Sequence, residues 1–170
     1  NQWLSDDTVA ESWFGRYSYG NPAHLGYHPE NILNISDAEW DSVFENPEHR
    51  IFSIYTDVGE HIGETHLTVE ESLGDGQISI LIGDREKWNQ GYGTAGLLAT
   101  LSLSFNTYNL FRVWADIPEY NEHALHMFRH LGFVLEGHLR KTHRKDDKWY
   151  DSYAMGLLTE EYVRRRSRLM

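Results

Sequence analysis

Cysteine is absent from the 170 residues, which excludes disulfides, thiolate metal sites and a cysteine nucleophile. No apolar run approaches the ~20 residues that a membrane-spanning helix needs, and nothing at the start resembles a signal peptide. A cytoplasmic protein with no membrane partner is the expectation. Basic residues are scarce too: 15 Lys and Arg stand against 26 Asp and Glu, a net charge of −11. That balance disfavours nucleic acid and leans toward a cationic partner, although solubility alone accounts for it equally well. The basic end, Arg164, Arg165, Arg166 and Arg168, is a local exception and reads as a frayed C-terminal helix whose cations suit the negative end of its dipole. Walker A, serine-elbow and EF-hand patterns are all missing.

What is present belongs to a folded globule. Apolar residues make up 40% and aromatics 14%, enough to build one sizeable core, so a single domain over 1–170 is expected. The chain opens at Asn1, inside or just before an amphipathic helix carrying Trp3, Leu4, Val9, Trp13 and Phe14, and an upstream segment is expected. Gly15 to Pro29 is an aromatic loop suited to lining a binding site, and Ser36 with Glu39 forms a capping box that opens a short helix to about Phe44. Arg50 to Thr56 and Ile62 to Val69 alternate as two strands around the turn Val58-Gly59-Glu60. After the turn Gly74-Asp75-Gly76, a third strand holds Ile78, Ile80 and Ile82 and ends at Gly83. A helix from Ala95 to Phe105, apolar on most faces and hence buried, follows a polar loop. Leu110 to Ile117 is a fourth strand, Asn121 to Leu131 a helix closed by Gly132, and Phe133 to Leu139 and Trp149 to Leu158 two more strands around a polar connection, Lys141 to Lys148. The class is α/β or α+β, with a mixed sheet of about six or seven strands flanked by helices.

The stretch from Gly76 to Thr107 carries the chemistry: an apolar strand, a polar loop ending Gln90-Gly91-Tyr92-Gly93-Thr94, and a helix. Gly91 and Gly93 remove side chains that would hold a ligand off the backbone. The next helix directs unpaired N–H groups and a positive dipole end at the same point. This is an anion site made of backbone. Read literally, Gly91 to Gly96 also matches the GxGxxG dinucleotide fingerprint, with Asp116 placed as the ribose acid. Residues 84–90 are too polar to be strand interior, however, and three strands precede the motif, so that match is accidental.

Together with the segment from Asn121 onward, the loop resembles the GNAT superfamily of acetyl-CoA-dependent N-acetyltransferases, especially its ribosomal-protein N-acetyltransferase-like branch. The family's pyrophosphate loop, Q/R-x-x-G-x-G/A, falls on Trp88 to Gly93. Its N-x-x-A-x-x-x-Y-x-x-x-G-F pattern falls on Asn121, Ala124, Phe128, Gly132 and Phe133. The closing segment, Glu136-Gly137 through Asp151, Met155 and Leu157-Leu158, looks like the ending of that branch, and the likeness is best from about Arg50 to Leu158. It implies acetyl-CoA as co-substrate, a small-molecule or peptide amine as acceptor (a protein N-terminus, polyamine, amino acid or aminoglycoside), and direct attack in a ternary complex. It also implies a cofactor core over 50–158, an acceptor-shaping part over 1–49, and a basic tail over 159–170. The family's usual first strand would lie before Asn1. Without it a sheet edge is exposed or filled by a partner, and a homodimer is among the expected assemblies.

The resemblance assigns Leu81, Ile82 and Gly83 to the cofactor through strand N–H groups that serve the oxyanion. Gln90, Gly91, Tyr92, Gly93 and Thr94 take the pyrophosphate, and Asn121 and Phe128 complete the set. Two departures stand out: Trp88 replaces Gln or Arg at the head of the loop, and Phe128 replaces the tyrosine that reprotonates the leaving thiolate in many relatives. Phenylalanine has no proton to give. Tyr92, Tyr120, a water or unassisted departure are the alternatives. For the base, Asp116 precedes Asn121 by five residues, where some relatives carry a carboxylate facing the amine; a carboxylate holding a turn or a cation reads equally well. Glu64 shares a strand face with His66, Thr68 and Glu70, so Glu64 and His66 reach the same cleft or simply face solvent. Asn121 caps its helix, contacts the cofactor, or does both. His123, His126 and His130 lie on one helical face, but no carboxylate has HExxH spacing, so a solvated face and no metal are expected. A non-catalytic acyl-CoA-binding module is the rival reading, and a dinucleotide oxidoreductase fragment a weaker one.

Overall fold

Alternating apolar residues build three strands in succession: β1 (His49–Tyr55), β2 (His61–Glu70) and β3 (Asp75–Ile82). They form an antiparallel meander, with Ile51 opposite His66 and Leu67 opposite Ile78. These belong to a computed structural model that describes residues 3, 6, 8, 9, 36 and 49–166. The aromatic loop and Glu39 of the capping box lie outside the described residues, as does most of the expected first helix. Thr8 and Val9 are helical, and the Asp6 carboxylate accepts the N–H groups of both, at 2.9 and 3.4 Å.

A short turn of 3₁₀ helix, Arg85–Lys87, comes after β3, so residues 84–90 are not strand, as their polarity implied. Helix α1 (Tyr92–Asn106) starts three residues before the expected Ala95, because Gly91 in the left-handed conformation (φ +89°) turns the chain directly into it. It is buried along one stripe only, Leu97, Thr100, Leu101, Ser104 and Phe105, while Leu98 and Ala99 are exposed. The buried Thr65 and Thr100 hydroxyls, 2.6 Å apart, join α1 to β2. Gly96 lets the helix approach this closely, since a Cβ there would stand 2.6 Å from Ile54 Cδ1. The third glycine of the fingerprint is therefore a packing glycine.

Strand β4 (Arg112–Pro118) leads into α2 (Glu122–Leu131), which Gly132 ends at φ +100°. Two strands come next, β5 (Val134–Lys145) and β6 (Lys148–Leu158), and then α3 (Thr159–Arg166). The expected polar connection at Lys141–Lys148 is mostly strand. Beyond an irregularity around Lys141 (φ +55°), pairing resumes at His143 with Tyr150, and Asp146 and Asp147 alone make the turn with φ +49° and +58°. Residues 141–148 are polar throughout, although His143, Arg144 and Lys145 are partly buried, so no apolar alternation marked the hairpin in the sequence. The basic segment 164–166 ends α3, where Tyr162 stacks on Phe105 at 4.7 Å.

The sheet order is β1-β2-β3-β4-β6-β5. On one face Leu67, Ile78, Val113, Ala115, Ile117 and Met155 pack against Leu97 and Leu101 of α1 and Leu125, Phe128 and Leu131 of α2. Among the described residues no helix is long and apolar enough to cross a membrane.

Candidate active site

Strands β3 and β4 pair in parallel at only three positions, Asp75 with Arg112, Gly76 with Val113 and Gln77 with Trp114. β4 then tracks β6 through seven successive pairs, to Pro118 opposite Ser152, and parts from β3. The remaining half of β3 thus faces a gap. Peptide groups alternate in direction along a strand, and the Gly83 N–H donates to the Ile62 carbonyl at 2.8 Å. By that alternation Gly83 and Leu81 turn toward β2, and Ile80 and Ile82 turn toward the gap. The Ile82 carbonyl accepts the Trp88 indole N–H at 2.7 Å. Of the three N–H groups expected to face an oxyanion, only that of Ile82 points into the gap, and Ile80 joins it. The reason is strand phase, which residue types do not reveal.

The gap opens into a cavity of about 560 Å³ lined by Ile80, Leu81 and Ile82 of β3, Trp88, Asn89, Gly91, Gly93 and Thr94 of the loop, and Tyr120, Asn121, Ala124 and Met127 beside and along α2. Space around Gly91 is open, and a Cβ on Gly93 would sit 3.5 Å from Met127 Sδ and 3.6 Å from Ile80 Cδ1, inside the cradle. No side chain caps the start of α1, and its first turn carries no acidic residue. Its N–H groups and dipole are therefore available to an anion. Backbone donors for phosphate, an apolar trough of Ile80, Ile82 and Met127, and an unpaired strand edge together fit the pyrophosphate and the amide-bearing arm of acetyl-CoA.

The other sheet face carries acid. On β2, the Glu64 carboxylate lies 3.1 Å from the His66 Nε2. Burial pushes the Glu64 carboxyl up, but the His66 hydrogen bond and the charges of His66 and His61 outweigh it and hold it below its usual value. On β4, Val113, Ala115 and Ile117 enter the core, so Asp116 turns to the same side as Glu64. Its Oδ1 is buried and has no hydrogen-bond partner among the described residues. His143, at the tip of the β5–β6 hairpin, was not identifiable beforehand. Burial lowers its pKa, and the nearby Asp116 charge partly opposes the shift. The tip is docked on the β4–α2 connection: the Glu119 N–H donates to the Asp151 carbonyl at 2.9 Å, and Tyr120 and Tyr150 meet edge to face at 5.1 Å.

The remaining expected residues are scattered. Phe128 is buried in the core, edge to face with Phe133 at 4.9 Å, and does not line the cavity. It sits on the core side of α2, whose other stripe faces the cavity. Gln90 is exposed and donates to the Glu86 carbonyl at 2.5 Å, and neither it, Tyr92 nor Gly83 lines the cavity. Asn121 caps α2 by accepting the Ala124 N–H at 3.1 Å while also lining the cavity. His123, His126 and His130 are exposed, as a solvated face requires, and they also border the open side of the cavity. Their i, i+3, i+7 spacing was the available signal, but nothing in the sequence showed which way that face would turn.

The model of the acetyltransferase (GNAT) domain matches residues 1–134. An uncharacterized N-acetyltransferase p20 of Bacillus licheniformis is 25% identical over 124 residues, 72% of this chain and 69% of that protein. Spermidine N(1)-acetyltransferase of Escherichia coli (strain K12) is 24% identical over 135 residues, covering 79% of this chain and 71% of the relative. In structure, spermidine N-acetyltransferase from Vibrio cholerae in complex with CoA and spermine superposes with a TM-score of 0.75 at 21% identity, over 95% of this chain and 89% of that one. A dodecameric form of the Vibrio cholerae enzyme gives 0.74 at 20% identity, over 96% and 92%. The chain belongs to the GNAT acetyltransferase family, and its reaction is the transfer of an acetyl group from acetyl-CoA to a primary amine.

Proposed function

We propose that the acceptor is a polyamine, and that it enters from the sheet face opposite the glycine loop, drawn to Asp116 and Glu64. The carrying observation is the buried Asp116 Oδ1 without a partner, placed where β4 has left β3. A buried carboxylate oxygen lacking a donor is costly, and an incoming ammonium supplies the donor. The net charge of −11 and the spermidine acetyltransferases among the relatives support the same class.

Acetyl-CoA supplies a thioester whose thiol, with a pKa near ~8.5, leaves readily. Asp116 takes the proton from the ammonium so that the amine attacks in its neutral form, within a ternary complex. The Ile82 N–H donates to the carbonyl oxygen under attack, and the Ile80 N–H, one strand repeat away, is left for an amide carbonyl of the coenzyme arm. Gly91, Gly93, Thr94 and the first turn of α1 hold the pyrophosphate, with Gln90 and Tyr92 flanking it. Tyr120 places a phenolic proton at the cavity wall, a role Phe128 cannot take. Glu64, kept anionic by His66, attracts a second ammonium. Residues 1–49 shape the acceptor side, 50–158 hold the coenzyme, and 159–170 form a basic tail. In support, buried Val9 packs on Leu81, on the sheet face that carries Glu64. Self-association from a homodimer upward is proposed on the precedent of the dodecameric relative. Sedimentation of a monomer would overturn it.

Thiol release from acetyl-CoA, measured with spermidine, spermine, an N-terminal peptide, a free amino acid and an aminoglycoside, tests the acceptor. A polyamine is expected to give the highest kcat/KM by about tenfold, ~1.4 kcal/mol. Equal or greater turnover of any other class removes the polyamine reading.

A further inference from the structure

The coenzyme cavity has a lining at odds with the rest of the chain. In a protein of net charge −11, no acidic side chain among the described residues lines it, whereas Lys87, Lys145, His123, His126 and His130 all do. The three histidines form one stripe of α2, since i, i+3 and i+7 share a face. Leu125, Phe128 and Leu131 take the core side of the same helix. Met127 lies against the glycine loop, its Sδ 3.5 Å from where a Gly93 Cβ would be. His126 and His130, beside it and one turn on, therefore adjoin the anion site at the start of α1. A helix C-terminus repels anions, but here the Arg165 guanidinium donates to the His130 carbonyl and offsets that.

A glycine loop and one helix N-terminus suit a pyrophosphate. Coenzyme A carries a third phosphate, on its ribose, with a charge of about −1.5 to −2. We infer that His126 and His130 on α2 bind this ribose phosphate, so that the enzyme discriminates coenzyme A from its dephospho form. An imidazole donates an N–H whether neutral or charged, so the contact does not require protonation. Lys87 is engaged by Glu60 at 2.9 Å and Lys145 lies over the Tyr120 ring at 5.2 Å, whereas the histidine stripe stands exposed along α2 beside the loop. The inference rests on the coenzyme reading of the cavity.

Calorimetric titration with coenzyme A and with dephospho-coenzyme A, on the parent protein and on a His126→Ala/His130→Ala variant, tests it. The parent is expected to prefer coenzyme A by about tenfold or more, the worth of one charge-assisted hydrogen bond. In the variant the preference should fall below about threefold, while dephospho-coenzyme A affinity stays within about twofold and so reports an intact fold. A preference retained in the variant, or none in the parent, overturns the histidine assignment with the coenzyme reading intact. Failure of the parent to bind either molecule overturns the coenzyme reading itself.

Discussion

The two ends of the β3–β4 seam differ in every respect that matters for function. At the closed end three parallel pairs join the strands, and the Arg112 guanidinium bridges Asp75 at 2.9 Å and Glu136 across the seam. At the open end pairing stops, backbone groups of Ile80 and Ile82 turn into a gap, glycines replace side chains, and a carboxylate oxygen is buried without a donor among the described residues. Polar groups satisfied by each other stabilise the sheet; polar groups left unsatisfied make a binding site. The same two strands do both within a few residues.

Breaking the open end should have the largest effect. Asp116→Asn is expected to lower kcat/KM at neutral pH by about 10²–10⁴-fold, the usual worth of a positioned base, with coenzyme affinity nearly unchanged. Full activity across the pH range would remove Asp116 from the reaction. Gly93→Leu fills the trough between Ile80, Ile82 and Met127. Calorimetry should then show coenzyme affinity reduced by about a hundredfold, ~2.8 kcal/mol.

Breaking the closed end should act on stability alone. Arg112→Met strands the Asp75 and Glu136 carboxylates, whose hydrogen bonds hold the guanidinium firmly protonated. Denaturant titration is expected to show a loss of about 1–2 kcal/mol for this half-buried cluster, with coenzyme binding retained. A comparable loss of coenzyme affinity would mean the two ends are not independent.

The smallest effect is the His143 contribution to pH dependence. Burial depresses its folded pKa below the ordinary histidine value. Its stabilising contribution is therefore complete above that value and is lost as pH falls through the ordinary range toward the lower folded one. Thermal melts should drop on acidification below about pH 6.5, and less steeply in His143→Gln.

Much of this was legible in the chain because it depends on local pattern. Alternation at Ile78, Ile80 and Ile82, the Asn121 cap and the Gly132 stop each act within a few residues, and the structure has all three. Gly91 just before α1 and Gly93 in its first turn likewise marked an open, uncapped helix start. Other features depend on long-range register. Whether Ile82 or Gly83 faces the gap is decided by the phase of β3 against β2. The tip of the β5–β6 hairpin, polar in sequence, carries no alternation, yet it docks and brings His143 within electrostatic reach of Asp116.

Taken alone, then, the sequence determined the order of the described elements, the glycine loop that leads into α1, and the loss of a phenolic proton at Phe128. Tertiary structure decided where β3 leaves β4, which peptide groups that exposes, and that the exposed α2 histidines border the cavity beside the glycine loop. The division comes from range. Periodicity, capping and glycine conformation are properties of a few neighbouring residues, whereas a gap between strands and the facing of a helix stripe exist only once distant segments have packed.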